Sequence, residues 1–235
     1  MSVRGMIFVL MLGFTAGCHS QSPTLTKLQK GQIQDLVQTE IENGSFPGAV
    51  VLIGQDQTVL FKEAFGDQAI EPNRQPMHMD TVFDLASMTK PLATAASVMV
   101  LMDQAKIDPN DTVATYLPDF ASEGKDTVQI RHLLTHTSGL PAYTGAEALE
   151  EAHGSPCPDA VIKTICQYEA LNEPGEIFRY SCLGYILLSR IVTEISGQSL
   201  DEFSQAHLFE PMGMQHTTFN PPDAWHDHVA ATKIV

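Results

Sequence analysis

Residues Pro91 to Met102 are nearly all apolar, interrupted only by Thr94 and Ser97. A helix that is hydrophobic all round belongs inside a protein, so the rest of the chain has to supply a shell around it. Pro91 fixes where that helix starts. A proline lacks an N–H and fits only the first turn, where those groups have no intrahelical partner. The helix is therefore expected to begin near Ser87.

The surrounding elements can be read from periodicity and breakers. Leu28, Ile33, Leu36, Val37 and Ile41 fit one helical face, ended by Asn43-Gly44. Ala49 to Ile53 and Thr58 to Phe65 read as two strands of a hairpin around Gly54 to Gln57. Asp108 to Asp111 reads as a loop. Gly184 to Ile195 predicts another apolar helix, stopped by Gly197, and Ser199 with Glu202 forms a capping-box pattern for the next. Strands first and helices later predict a mixed α/β (α+β) fold with a helix-rich lobe from about Pro91 onward.

The start of the apolar helix is also where the chemistry concentrates. Ser87 and Lys90 are three apart on one helical face and can touch. The helix dipole and burial are expected to lower the lysine toward a usable base. The backbone N–H of Ser87 is free to donate to an oxyanion on its own acyl adduct. Spacing alone is weak, because Ser122 and Lys125 repeat it between Asp119 and Asp126. That second copy lies in a polar stretch with Gly124, where the lysine is expected to remain solvated.

Other chemistries find less support. The net charge of −15, from 13 Lys+Arg against 28 Asp+Glu, argues against nucleic acid as a partner. His132 and His136 are four apart, but Leu133-Leu134 between them lacks the glutamate of a zinc motif, so a structural or loop-ordering role is expected and no metal. The His226-Asp227-His228 cluster reads as a solvated loop, and Gly-x-Ser-x-Gly is absent. Met99 and Met102 belong to the apolar helix.

At the N-terminus, Arg4, an apolar run from Met6 to Phe14 and the small residues before Cys18 describe an export signal too short to span a membrane. Residues 1–18 are thus expected as a leader and 19–30 as a linker, followed by one catalytic domain over 31–235. Cys18 after Ala-Gly resembles a bacterial lipid-attachment box, although Thr15 stands where Leu is usual. With Cys18 lipidated, Cys157, Cys166 and Cys182 remain, enough for one bridge at most, and Cys157 with Cys166 is one spacing that could close a loop.

The chain resembles the serine β-lactamase and penicillin-binding-protein family, in the branch of class C β-lactamases, D-alanyl-D-alanine carboxypeptidases and related esterases. The resemblance runs from about Gly48 to Phe219. It rests on Phe83 to Pro91, on Arg131 to Leu140, on Pro174-Gly175 leading to Tyr180-Ser181-Cys182, and on Leu208 to Met214. It implies a β-lactamase/transpeptidase-like fold, with an antiparallel sheet beside the helical lobe. It also implies that Ser87 is acylated, that Lys90 assists, and that Tyr180, in place of the tyrosine of a Tyr-x-Asn motif, shuttles a proton. A phenol is a poor base by itself, but a neighbouring ammonium makes its anion accessible. No cofactor is implied.

Two departures from the family pattern matter. Cys182 stands in the substrate-binding position where the family has Asn, and a thiol is a weak hydrogen-bond partner. That favours ester or weak peptidase activity over strong β-lactam hydrolysis. The family's third motif, Lys-Thr-Gly or His-x-Gly, does not occur after the lobe: Lys233 is followed by Ile234 and Val235. The expectation is therefore a truncated member lacking its C-terminal sheet strands, with a hairpin edge left unpaired and weak or no activity. The expected partners are a small-molecule or peptidoglycan-like substrate and, through Cys18, a membrane; the expected location is the periplasm or cell envelope. The competing expectation is a non-enzymatic envelope binding protein that keeps the fold.

Overall fold

In the computed structural model the residues described are 23–232. The expected leader with Cys18, and Lys233 to Val235, lie outside them. The described residues divide into two units, one running up to Thr81 and taking in 230–232, the other Val82–Val229.

The first unit holds α1 (Lys27–Glu42), β1 (Gly48–Gln55), β2 (Thr58–Ala69) and the short β3 (Gln75–Pro76) in an antiparallel sheet of order β1-β2-β3. Thr26 and Gln29 cap the start of α1 reciprocally, so the last part of the expected linker 19–30 is already helical. The predicted hairpin is present, with Gln55 opposite Thr58 across a two-residue turn at whose first position Asp56 takes φ 52°. Gly48 is required here: a Cβ would lie 2.5 Å from the Asp67 carbonyl oxygen. Among the described residues β1 lies at an edge of the sheet, and Leu52 and Val59 are exposed while Phe61 is buried.

The second unit is helical: α2 (Ala96–Asp103), α3 (Val113–Tyr116), α4 (Ile130–Leu134), α5 (Ala146–His153), α6 (Pro158–Gln167), α7 (Cys182–Ser196) and α8 (Leu200–Ser204). Its core centres on α7, whose Leu183, Leu187, Leu188, Ile191 and Val192 are buried together with Leu101, Phe120, Ile130, Leu133 and Phe203. Gly197 ends α7 in the left-handed conformation that a residue with a Cβ resists. Ser199 and Glu202 form the predicted capping box on α8.

The apolar stretch differs from expectation in two ways. It opens as a single 3₁₀ turn, Ala86–Met88, continues as a π-helical segment, Lys90–Ala95, and becomes α-helical only as α2. It is also buried on one face rather than all round. Ala93, Thr94, Ser97, Val98 and Leu101 are inside, whereas Met99 is 64% exposed. Pro91, Leu92 and Met99 at outward positions keep the composition apolar without requiring burial.

The three described cysteines are all free thiols. Cys157 is the N-cap of α6 and Cys166 lies near its end. At 1.5 Å of rise per residue that separation is about 13 Å, well beyond the roughly 7 Å limit for a disulfide. The expected small loop is a helix.

Candidate active site

Ser87 lies in the 3₁₀ turn and Lys90 opens the π-helical segment. The turn is entered through Ala86, whose φ is +42°, a left-handed conformation uncommon for a residue with a Cβ. Asp84 Oδ1 holds that bend by accepting the Ala86 N–H at 2.8 Å. The first bond of the turn runs from Met88 N–H to the Leu85 carbonyl at 2.8 Å. Ser87 sits inside that turn, exposed, ahead of the regular helix.

The Lys90 ammonium donates to Ser87 Oγ at 3.1 Å, as the three-residue spacing predicts. Tyr180, distant in sequence, brings its hydroxyl to the same oxygen and donates at 2.8 Å. Lys90 Nζ also stands 5.0 Å from the centroid of the Tyr180 ring. The three residues singled out by the sequence thus converge on one oxygen atom. Cys182, the first residue of α7, has its thiol within hydrogen-bonding reach of Lys90.

The electrostatics overturn one expectation. Burial does act to lower Lys90, but hydrogen bonding to Tyr180, the charge available at Cys182 and Tyr180, and the Cys182 hydrogen bond outweigh it, and the net shift is upward. Tyr180 remains 37% exposed and Ser87 is exposed, so the pair is not taken out of water. Lys90 is an ammonium donor here, not a neutral base. Desolvation reaches Lys90 at the start of the helix, but the partners brought by Tyr180 and Cys182 outweigh it.

Tyr180 is held by a neighbouring segment. Residues 136–142 run alongside 171–182, with Leu171 N–H to the Gly139 carbonyl at 2.9 Å, Gly175 N–H to Thr137 at 2.8 Å, Arg179 N–H to His136 at 2.7 Å and Cys182 N–H to Ala142 at 2.9 Å. Ser181, the N-cap of α7, donates its hydroxyl to the Pro141 carbonyl at 2.6 Å and accepts the Gly184 N–H at 3.4 Å. His136 lies within this contact, its ring 4.5 Å from that of Tyr180. His132 is turned elsewhere, its Nδ1 accepting the Gln129 N–H at 3.1 Å. Asp84 and Ala86 escaped the sequence reading, although an Asp two residues before a bend is a recognisable turn signal.

The second Ser-x-x-Lys copy is a different object. Lys125 is 0% exposed, contrary to the expectation that it stays solvated. Its ammonium donates to the carbonyls of Ser122 (2.8 Å), Cys166 (3.1 Å) and Tyr168. Three acceptors for three N–H donors make burial tolerable. Ser122 Oγ turns to the Cys166 carbonyl at 2.9 Å instead of to its own lysine.

No group of three or more His, Cys, Asp or Glu side chains among the described residues could hold a metal ion, and no helix among them is long and apolar enough to cross a membrane.

The Beta-lactamase family model matches residues 33–233. An N-acetylmuramyl-L-alanine amidase of Bacillus subtilis is 33% identical over 211 residues, 83% of this chain and 47% of that protein. Penicillin-binding protein 4* of the same organism is 34% identical over 193 residues, 80% of this chain and 41% of its own length. Among solved structures, EstCE1, a hydrolase with promiscuous acyltransferase activity, superposes with a TM-score of 0.73 at 31% identity, covering 86% of this chain and 55% of that one. The chain spans about half the length of the relatives it matches. The fold of the described residues is β-lactamase/transpeptidase-like, helix-rich with a small antiparallel sheet. On the family model and these relatives together, the chain belongs to the Beta-lactamase family.

Proposed function

We propose that the chain is a serine hydrolase that works through an acyl-enzyme. Ser87 Oγ attacks an ester, β-lactam or amide carbonyl carbon: as the Oγ–C bond forms, the Ser87 proton passes to Tyr180 Oη while the proton that Tyr180 already carries goes to the leaving group, whose bond to the carbonyl carbon breaks. Water then cleaves the acyl-enzyme. Lys90, kept protonated, donates to the attacking oxygen and steadies the negative charge that develops there. One observation carries this reading: Ser87 Oγ lies 3.1 Å from Lys90 Nζ and 2.8 Å from Tyr180 Oη at once.

Substrates follow from the site and from the names of the relatives, an amidase, a penicillin-binding protein and an acyl-transferring hydrolase. D-amino-acid peptides of the peptidoglycan type, β-lactams and small esters all present the carbonyl that Ser87 requires. Cys182 favours esters among these, because a thiol in place of a carboxamide binds a substrate amide weakly. The wall-related names of the relatives support export to the periplasm or cell envelope; lipid attachment at Cys18 rests on the sequence box alone.

The second reading is an envelope protein that keeps the fold and binds without turnover, and Cys182 is the feature that favours it. Incubation with a fluorescent penicillin and with a fluorophosphonate, followed by intact mass, separates the two. A covalent adduct that disappears in Ser87→Ala supports the hydrolase. Folded protein that takes up no adduct from either reagent supports the binding protein.

A further inference from the structure

We propose that His136 is a positioning residue for Tyr180, gripping the residues on both sides of it and stacking on its ring so that the phenol oxygen meets Ser87. This rests on the acyl-transfer reading above. The His136 carbonyl accepts the Arg179 N–H at 2.7 Å, and its Nδ1 accepts the Ser181 N–H at 3.2 Å. A single residue therefore takes up the amides immediately before and after Tyr180. Its ring centroid lies 4.5 Å from that of Tyr180, tilted by 37°, with Tyr185 at 5.1 Å and Phe178 near-perpendicular at 5.9 Å.

His136 reaches this arrangement through a left-handed backbone, φ 56°, directly after α4. Histidine adopts that region less readily than glycine, and such conformations persist where the surroundings fix them. Here Thr137 N–H bonds back to the His132 carbonyl at 2.9 Å, and Tyr185 ties α7 to α4 through the Leu134 carbonyl at 3.0 Å.

The grip on Ser181 needs a bare Nδ1, because a protonated nitrogen there would face another donor. Burial first, and then the charge of Lys90, hold the imidazole below its ordinary value. Lys90, Tyr180 and Tyr185 are the titratable groups that interact with this cluster. The neutral ring with its proton on Nε2 satisfies all these contacts.

Three variants of the full chain separate the contributions. His136→Asn keeps an acceptor near Nδ1 and tolerates the left-handed backbone; His136→Phe keeps a ring without an acceptor; His136→Ala keeps neither. The first readout is Ser87 acylation by a fluorophosphonate. The limiting rate is expected to fall about 10²-fold in His136→Ala and His136→Phe, the scale of a misplaced catalytic group, with half-saturation unchanged. His136→Asn is expected to recover about tenfold of that loss. The second readout is amide hydrogen exchange at Ser181, faster by about tenfold in the Ala and Phe variants and restored by Asn. Native protection of Ser181 in His136→Phe, or an Asn variant no better than Ala in either readout, overturns the proposal. A native chain whose labelling survives Ser87→Ala, or that is never labelled, sinks the acyl-transfer reading instead. The Ser181 exchange comparison still decides whether His136 grips this segment.

Discussion

Ser87-x-x-Lys90 and Ser122-x-x-Lys125 share a spacing, yet they fold into opposite arrangements. In the first, the lysine donates to the serine hydroxyl and a tyrosine joins them. In the second, the lysine bonds to the serine carbonyl and the hydroxyl turns away. The backbone accounts for the difference. The left-handed residue of the first copy, Ala86, precedes the serine, so Thr89, the last residue before Lys90, is right-handed helical and the two side chains share a face. The second copy has its left-handed residues, Glu123 at 58° and Gly124 at 73°, between the serine and the lysine. Two reversals in that interval aim Lys125 inward. A reactive pair needs an unbroken helical turn between its members, and a pattern of residue types does not specify one.

The sharpest way to break this comparison is to remove each amine in turn. Lys90→Met is expected to slow Ser87 acylation about 10²–10³-fold, the range of a lost charge-stabilising donor, while leaving stability within about 0.5 kcal/mol. Lys125→Met is expected to do the reverse. The carbonyls of Ser122, Cys166 and Tyr168 would lose their common donor, at a cost of about 2–4 kcal/mol. Urea midpoints and labelling rates on both variants check the pair. A Lys125 variant that stays stable but labels slowly would mean that the two copies do not divide the work as their geometry indicates.

Much of the frame was legible because it depends on near neighbours. Asn43-Gly44 and Gly197 mark helix ends, Ser199 and Glu202 mark a start, and the Ser87–Lys90 contact follows from helical spacing. The surroundings of the two lysines are not legible: local composition points to a solvated Lys125 and a lowered Lys90, and the structure has Lys125 buried and Lys90 raised. Lys125 is buried by carbonyls 41 and 43 residues away, which no local composition reveals. Lys90 stays an ammonium because Tyr180 and Cys182 arrive from another part of the chain. Hydrophobic neighbours in sequence measure burial poorly at a helix end, where the chain has just emerged from a turn. The same limit hid the part of His136 that matters, its contacts across to residues 179–181.

That inversion predicts a titration order. Lysine Nζ signals followed by NMR as pH rises should show Lys125 losing its proton first, below the ordinary lysine value, because burial opposes its charge. Lys90 should hold its proton to higher pH than that value. The stability effects have opposite signs. Lys125, lowered on folding, contributes stability that grows as pH rises from its folded value toward the unfolded one. Lys90, raised on folding, contributes stability that is complete below the unfolded value and lost as pH climbs through the folded one. Deprotonation of Lys90 ahead of Lys125 would show that the three carbonyls around Lys125 favour its charge more than burial opposes it.

The smallest effect isolates the backbone argument itself. Gly124 has φ +73°, and a Cβ built there meets nothing within 4 Å. Gly124→Ala therefore adds no clash, and its cost reports the left-handed conformation alone. About 1 kcal/mol of destabilisation is expected, from the strain of a Cβ in that region less the entropy that alanine removes from the unfolded chain. Ser87 acylation should be unchanged, since the kink at 123–124 has no part in the first copy. A neutral or stabilising result in the urea midpoint would mean that residues 123–124 relax readily to right-handed backbone. Lys125 would then be held inward by its three carbonyls alone, and the contrast between the copies would rest on tertiary contacts rather than on where the chain reverses its hand.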